Sequence, residues 1–194
     1  MAIAFRSATT TASLTGTEPT GAAQNDLLVA MVVNGATVTG PSGWTQIGTE
    51  INPSSGWLNS MWTIVRGGSA PSYVWGGSSS GPKVSIAAYS GVSSTLGADA
   101  STGDSEVSPS VTSTVDTSLL VCGFTENAGS AATAPSGMTG RVLDTKSSLA
   151  DLALPTAGAT GTKTWGNPST PAGSWSLILQ PGSSTKPYYA YAQQ

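Results

Sequence analysis

An internal duplication constrains this chain more than any other feature. Asp26 to Val33 (DLLVAMVV) returns as Ser118 to Thr125 (SLLVCGFT), and Pro41-Ser42-Gly43-Trp44-Thr45 returns as Pro135-Ser136-Gly137-Met138-Thr139. Tyr73-Val74-Trp75-Gly76 is echoed by Lys163-Thr164-Trp165-Gly166, and Val84 to Gly91 (VSIAAYSG) by Trp175 to Gly182 (WSLILQPG). The offsets run from 90 to 94 residues, so the element order is kept while the loops drift. A period this long lies outside the short solenoid repeats and reads as two halves building one core. The expectation is a single domain over residues 1–182, with pseudo-repeats at about 26–92 and 118–182, followed by a distinct tail over 183–194.

The secondary structure that fits these repeats is strand. Short runs, alternating or continuously apolar, are separated by clusters of Gly, Pro, Asn and Ser, and no stretch holds a helical period. Strands are expected near residues 3–13, 26–33, 44–52, 57–65, 72–75, 84–90, 108–114, 118–125, 139–144, 148–154, 160–165 and 175–180. Charged residues make up 9% of the chain, far below the usual quarter, which removes the Glu, Lys and Arg that normally solubilise helix surfaces. Val84, Ile86 and Ala88 fall on one face of a strand, which is expected to line the core. Asn34-Gly35, Gly67-Gly68 and Gly76-Gly77, with the two Pro-Ser-Gly turns, mark the boundaries. Two antiparallel units of this kind pack most simply sheet on sheet. The fold class is therefore all-β: an antiparallel β-sandwich, jelly-roll-like, built from two pseudo-repeated halves, with a closed barrel as the alternative.

Charge and residue types exclude several function classes. Net charge is −3, and the seven basic residues are scattered singly, so the chain carries no footprint for nucleic acid or an anionic membrane. No apolar run approaches the length of a membrane span, and the N-terminal MAIAFRSATTTAS lacks the layout of a secretory signal. There is no histidine, which removes Ser-His-Asp and Cys-His mechanisms and histidine-ligated metals. Cys122, the single cysteine, lies inside an apolar run and reads as a small buried hydrophobe. Absence of disulfides fits synthesis in a reducing cytoplasm, while the neutral, hydroxyl-rich surface suits life outside cells. A virion protein, made in the host cytoplasm and released by lysis, reconciles the two.

The remaining chemistry is sparse. Ser80-Gly81-Pro82-Lys83 matches a serine-lysine spacing but lies in a Gly/Pro turn rather than on the helix such a pair needs. Ten acids leave paired carboxylates as an option in principle, as in a glycosidase. Asp26 and Asp116, each just before an apolar run, read as turn caps. The cluster Asp99-Ala-Ser-Thr-Gly-Asp104-Ser-Glu106 lacks calcium-loop spacing and reads as a solvated loop joining the halves. No catalytic residue, cofactor or metal ligand is assigned. Trp75 and Trp165, at matching places, read as core or hairpin anchors. In Trp57 to Val65, alternation sets Leu58, Trp62 and Ile64 on one face and Trp57, Met61 and Val65 on the other. Both faces are apolar, so Trp57 and Met61 are candidates for a subunit contact, with a sugar-stacking platform as the alternative. After Gln180 a Gly/Ser spacer leads to Tyr188, Tyr189 and Tyr191 beside Pro187, an aromatic cluster suited to docking on a partner or neighbouring subunit.

The segments DLLVAMVVNG, GPSGWTQIG, SYVWGG and VSIAAYSGV together resemble a β-sandwich module of structural proteins in tailed bacteriophages, especially those of actinobacteria, and in some secreted bacterial proteins. The resemblance covers Asp26 to Val92 and, more weakly, Ser118 to Gly182. It implies a capsid decoration or minor tail protein, non-enzymatic, whose partners are major capsid or tail proteins and further copies of itself, with a host-surface glycan as another partner. No catalytic residues carry over. A carbohydrate-binding module is the second reading and a carboxylate-based glycosidase the third.

Overall fold

The computed structural model describes residues 1–53, 56–77, 81–126, 130–168 and 171–182, the side chains of 171 and 172 excepted. Fourteen strands are found among them. The longer ones are β1 (Ala4–Thr11), β2 (Leu27–Asn34), β3 (Thr45–Ile51), β4 (Leu58–Val65), β5 (Lys83–Ser90), β6 (Asp99–Gly103), β9 (Ser118–Glu126), β10 (Thr139–Val142), β11 (Ser147–Leu154) and β14 (Pro171–Leu179). Four two-residue strands, β7 (Val107–Ser108), β8 (Thr112–Ser113), β12 (Gly158–Ala159) and β13 (Lys163–Thr164), pair as β7 with β13 and β8 with β12.

Each half of the chain forms one whole sheet, its repeat joined by one preceding strand. The first has the order β1-β5-β2-β4-β3 and the second, read from its matching edge, β6-β14-β9-β11-β10, antiparallel throughout. The orders coincide strand for strand. Between the sheets, β3 lies beside β6 and β10 beside β1, while β5 faces β11 and β14 faces β4. These contacts are images of one another under exchange of the halves, and β2 meets its own image β9; β2 also leans on β11 and β5 on β10, so the symmetry is approximate. A surface patch that meets itself in this way is the self-complementary contact of a two-fold axis. The sandwich and its pseudo-repeated halves are as expected. The connectivity is one sheet per half, without the crossing of strands between sheets that a jelly roll has, and two separate sheets replace the alternative of a closed barrel.

Burial explains why the central strands are apolar on both sides. Between the sheets, Val29, Met31, Met61, Ala87, Tyr89, Val121, Leu149, Trp175 and Leu177 form the main core. On the outer face of the first sheet, Leu28, Ala30, Val32, Trp62, Val84, Ile86 and Ala88 pack under a cover that brings Val38, Trp44 and Trp75. The second sheet carries the matching outer core of Leu120, Cys122, Phe124, Ala150 and Ile178 under Val111, Ala132 and Trp165. Thus Val84, Ile86 and Ala88 do line a core, the loop-covered outer one, while Ala87 and Tyr89 on the opposite face line the central one. Leu28 and Leu120 are both fully buried at equivalent places, as the duplication requires. Volumes are traded within each outer core. Trp62 and Val32 in the first correspond to Ala150 and Phe124 in the second, the kind of compensating swap that cores tolerate.

The covers are held by repeated local geometry. In each Pro-Ser-Gly turn the fourth residue donates its N–H to the proline carbonyl, Trp44 to Pro41 at 3.1 Å and Met138 to Pro135 at 3.0 Å. The glycines sit at φ 86° and 79°, which a type II turn demands at its third position. Glycine, rather than the proline ahead of it, decides the turn. Thr39 and Gly76 exchange two backbone hydrogen bonds, as do Thr133 and Gly166, so each cover is clamped beside its buried tryptophan. Residues 72–75 contribute an isolated bridge, Thr15 to Val74, instead of the expected strand. Along β1 the Ser7, Thr9 and Thr11 hydroxyls donate to the carbonyls of Thr20, Thr17 and Thr15, which gives this Thr-rich stretch a structural use.

Two expectations are corrected by the register. Echo by sequence set Val84 against Trp175, but Met31 opposes Ser85 while its equivalent, Gly123, opposes Trp175. The true offset of β5 and β14 is one residue smaller, and one residue turns every side chain to the other face. The acidic stretch expected as a solvated loop is in fact β6 from Asp99 to Gly103, the edge strand of the second sheet.

Candidate functional site

The titratable side chains hold the fold together. Asp26 is buried, takes an ion pair from Arg6 at 2.6 Å and accepts the Ala23 N–H at 2.7 Å, so the expected turn cap also anchors β1. Asp116 accepts the N–H of Ala157, tying together two loops distant in sequence rather than capping its own turn. Arg66 pairs with Glu18, Lys83 with Asp144 at 3.0 Å, and Glu50 accepts the Val38 N–H. Arg141 grips Asp151 with two nitrogens at 2.7 and 2.9 Å and lays its guanidinium 4.2 Å from the Phe5 ring centroid. That pairing raises the Arg141 pKa further. Burial, with the Asp151 charge second, pushes the neighbouring Tyr89 hydroxyl well above its ordinary value. Sequence pattern gave no sign of this cluster, because its four members come from four strands.

For the serine-lysine spacing, Ser80 lies outside the described residues, and Lys83 is engaged by Asp144. Among the described residues no group of three or more His, Cys, Asp or Glu is placed to hold a metal ion. Cys122 is buried at the place equivalent to Ala30, and burial pushes its thiol up to about 11, as for an inert small hydrophobe.

Of the sequence-predicted contact residues, Met61 is corrected. It is fully buried between the sheets and packs toward Gly123, so its face meets the chain's own second half and is closed to any partner. Double-sided burial, not an external contact, accounts for the two apolar faces of β4. Trp57 lies apart from it at the opening of that strand, half-buried at the end where β2 and β9 finish. The Lys146 ammonium stands 4.2 Å from the Trp57 ring centroid and donates to the Gly81 carbonyl at 2.8 Å. One face of the indole is thus occupied from the other half of the molecule. Val65, from the same alternation, is 45% exposed at the opposite end. Tyr188, Tyr189 and Tyr191 lie outside the described residues.

At the end where β2 and β9 begin, the sandwich has two notches at related places, the first of mixed polarity and the second apolar. One is lined by Leu27, Thr45, Val65 and Leu96 among others. The other, of about 230 Å³, is lined by Ile3, Thr117, Leu119, Ala153, Leu154 and Pro155 among others. Leu27 and Leu119, and Val65 and Ala153, are equivalent positions in the two halves. No protein-family model matches the chain, and no match was found among curated proteins or among solved structures. The site therefore rests on its own geometry: an all-β sandwich whose described carboxylates are in large part engaged by arginines, lysines and backbone N–H groups of the scaffold.

Proposed function

We propose that the chain is a non-enzymatic structural subunit of a tailed-phage virion, a surface-attached capsid decoration or minor tail protein. The observation that carries the reading is the engagement of Glu18, Asp26, Glu50, Asp116, Asp144 and Asp151 in ion pairs and backbone hydrogen bonds that hold strands and loops. A carboxylate pair doing acid-base work needs partners that change during reaction, whereas these bind fixed groups of the scaffold. The nearly uncharged, hydroxyl-rich composition and the resemblance of the repeat segments to phage structural modules support the same reading. Its partners are major capsid or tail proteins and further copies of the chain, contacted through the tyrosines that follow Gly182 and the surface around Trp57. The test is a hydrolysis panel of glycans, esters and peptides with purified protein. No turnover is expected; turnover of a polysaccharide that is lost on changing two of the ten acids would overturn the proposal.

A further inference from the structure

We propose that the cavity beside Arg6, at the end of the sandwich where β2 begins, binds a small carboxylate sugar of the hexuronate class, with the Arg6 guanidinium taking the carboxylate. The cavity holds about 350 Å³, inside the range of about 300 to 1,000 Å³ that small-ligand sites occupy. Its lining combines the polar Arg6, Gln24, Asn25 and Asp26 with the apolar Ala2 and Val92. Arg6 differs from the other two arginines of the chain. Arg66 and Arg141 each engage Nε and a terminal nitrogen, the first on Glu18 and the Gly67 carbonyl, the second on Asp151. Arg6 engages Nε alone, 2.6 Å from Asp26 Oδ2, and its side chain stays 41% exposed. Its terminal nitrogens make no hydrogen bond among the described residues.

This arrangement exists in one half only. Phe5 pairs with Tyr89 and Ser7 with Ala88, so Arg6 is the extra residue of a bulge, whereas β6, the image of β1, pairs with β14 without a shift. A bulge re-aims the side chain it carries. At the place of Asp26 the second half has Ser118, whose hydroxyl donates to the Val115 carbonyl at 2.6 Å and closes the equivalent turn through a neutral bond. The turn therefore closes without an arginine, and anchoring β1 takes only Nε, which leaves the outer edge of the guanidinium for a ligand. Charge selects the class of that ligand. Asp26 is buried and offsets the charge of Arg6, so the site suits a monoanion rather than a phosphate, and a planar carboxylate matches the guanidinium fork. The Gln24 and Asn25 side chains are exposed and make no hydrogen bond among the described residues, so their amides offer donors and acceptors to ring hydroxyls. Ala2 and Val92 offer an apolar surface to the C–H groups of the ring.

The site does not depend on the virion reading, since it needs nothing beyond the fold of one chain. It is tested by titrating the isotope-labelled full-length protein with sodium glucuronate and following backbone amide shifts, with glucose, acetate and N-acetylglutamate amide as comparison ligands. Glucuronate is expected to shift the amides of Arg6, Asn25 and Val92 saturably, with a dissociation constant on the order of millimolar, and to bind more tightly than any comparison ligand. Arg6→Gln is expected to weaken it by about tenfold or more. That change also leaves Asp26 without its cation, so Asn25→Gly provides a second variant: glycine keeps the φ of 70° without strain, removes the amide, and is expected to weaken glucuronate by about fivefold with unfolding little changed. No saturable shift, shifts centred elsewhere on the chain, a comparison ligand that matches or exceeds glucuronate, or binding unchanged by Arg6→Gln or by Asn25→Gly overturns the site.

Discussion

Gly123 is the position where the two halves meet most tightly, and substituting it probes the packing of the sheets directly. A methyl group placed on its Cα would stand 2.4 Å from Met31 Sδ and 2.7 Å from Met61 Cε, and both methionines are fully buried. Gly123 and Met31 are equivalent residues of the two repeats, so near the axis one half supplies bulk and the other supplies none. The backbone of Gly123 is absent from the positive-φ positions, so any loss on substitution arises from packing. Overpacking of this sort costs about 1–3 kcal/mol, and the lower entropy of the unfolded chain returns about 0.4–1 kcal/mol for alanine. Gly123→Ala is therefore expected to lose about 0.5–2 kcal/mol, and Gly123→Val more, read by urea unfolding followed through tryptophan fluorescence. Met31→Ala alone should lose about 2–5 kcal/mol through its cavity. Combined with Gly123→Val it should lose less than the sum, with a favourable coupling of about 1 kcal/mol or more. Wild-type stability for Gly123→Val, or additive losses in the double variant, would refute the face-to-face register.

Two further outcomes follow from the buried charges and the thiol. Asp151→Asn strands the Arg141 guanidinium, itself only 25% exposed, and is expected to cost about 2–4 kcal/mol in urea unfolding; a change below about 0.5 kcal/mol would show the pair to be dispensable. Cys122 is protonated in the fold up to about pH 11, whereas the unfolded thiol ionises near 9, so the unfolded state holds fewer protons between those values. Stability should therefore be insensitive to this group below pH 9 and fall as pH rises from 9 toward 11, and Cys122→Ala should flatten the fall between pH 9 and 10, before tyrosines titrate. Equal slopes for the two proteins would contradict the burial.

The repeat made most of the fold legible, because the buried central strands and the Pro-Ser-Gly turns are under strong local constraint in both halves. Trp75 and Trp165 were found for the same reason. β6 was missed because Asp-Ala-Ser-Thr-Gly on a sheet edge buries little and has no alternation to read. Met61 was misassigned because a two-faced apolar strand looks the same whether its second face meets a partner or the chain's own other sheet; only the outer covers resolve the ambiguity, and they are built from loops. The one-residue slip at β5 and β14 arose where Ser85 stands opposite Met31 and Trp175 opposite Gly123. There the halves have diverged to fit each other, so similarity of letters no longer marks equivalence of place. The Arg141, Asp151, Phe5 and Tyr89 cluster had no signal, since it joins residues from four strands.

The structural-subunit reading is tested most directly by the mass of the purified full-length chain in solution, measured by light scattering over a wide concentration range. Assembly into a trimer or larger, reversed by dilution, is the result the account predicts. A particle that stays at 19.3 kDa throughout, and that also fails to co-sediment with virion shells or tails, would contradict it.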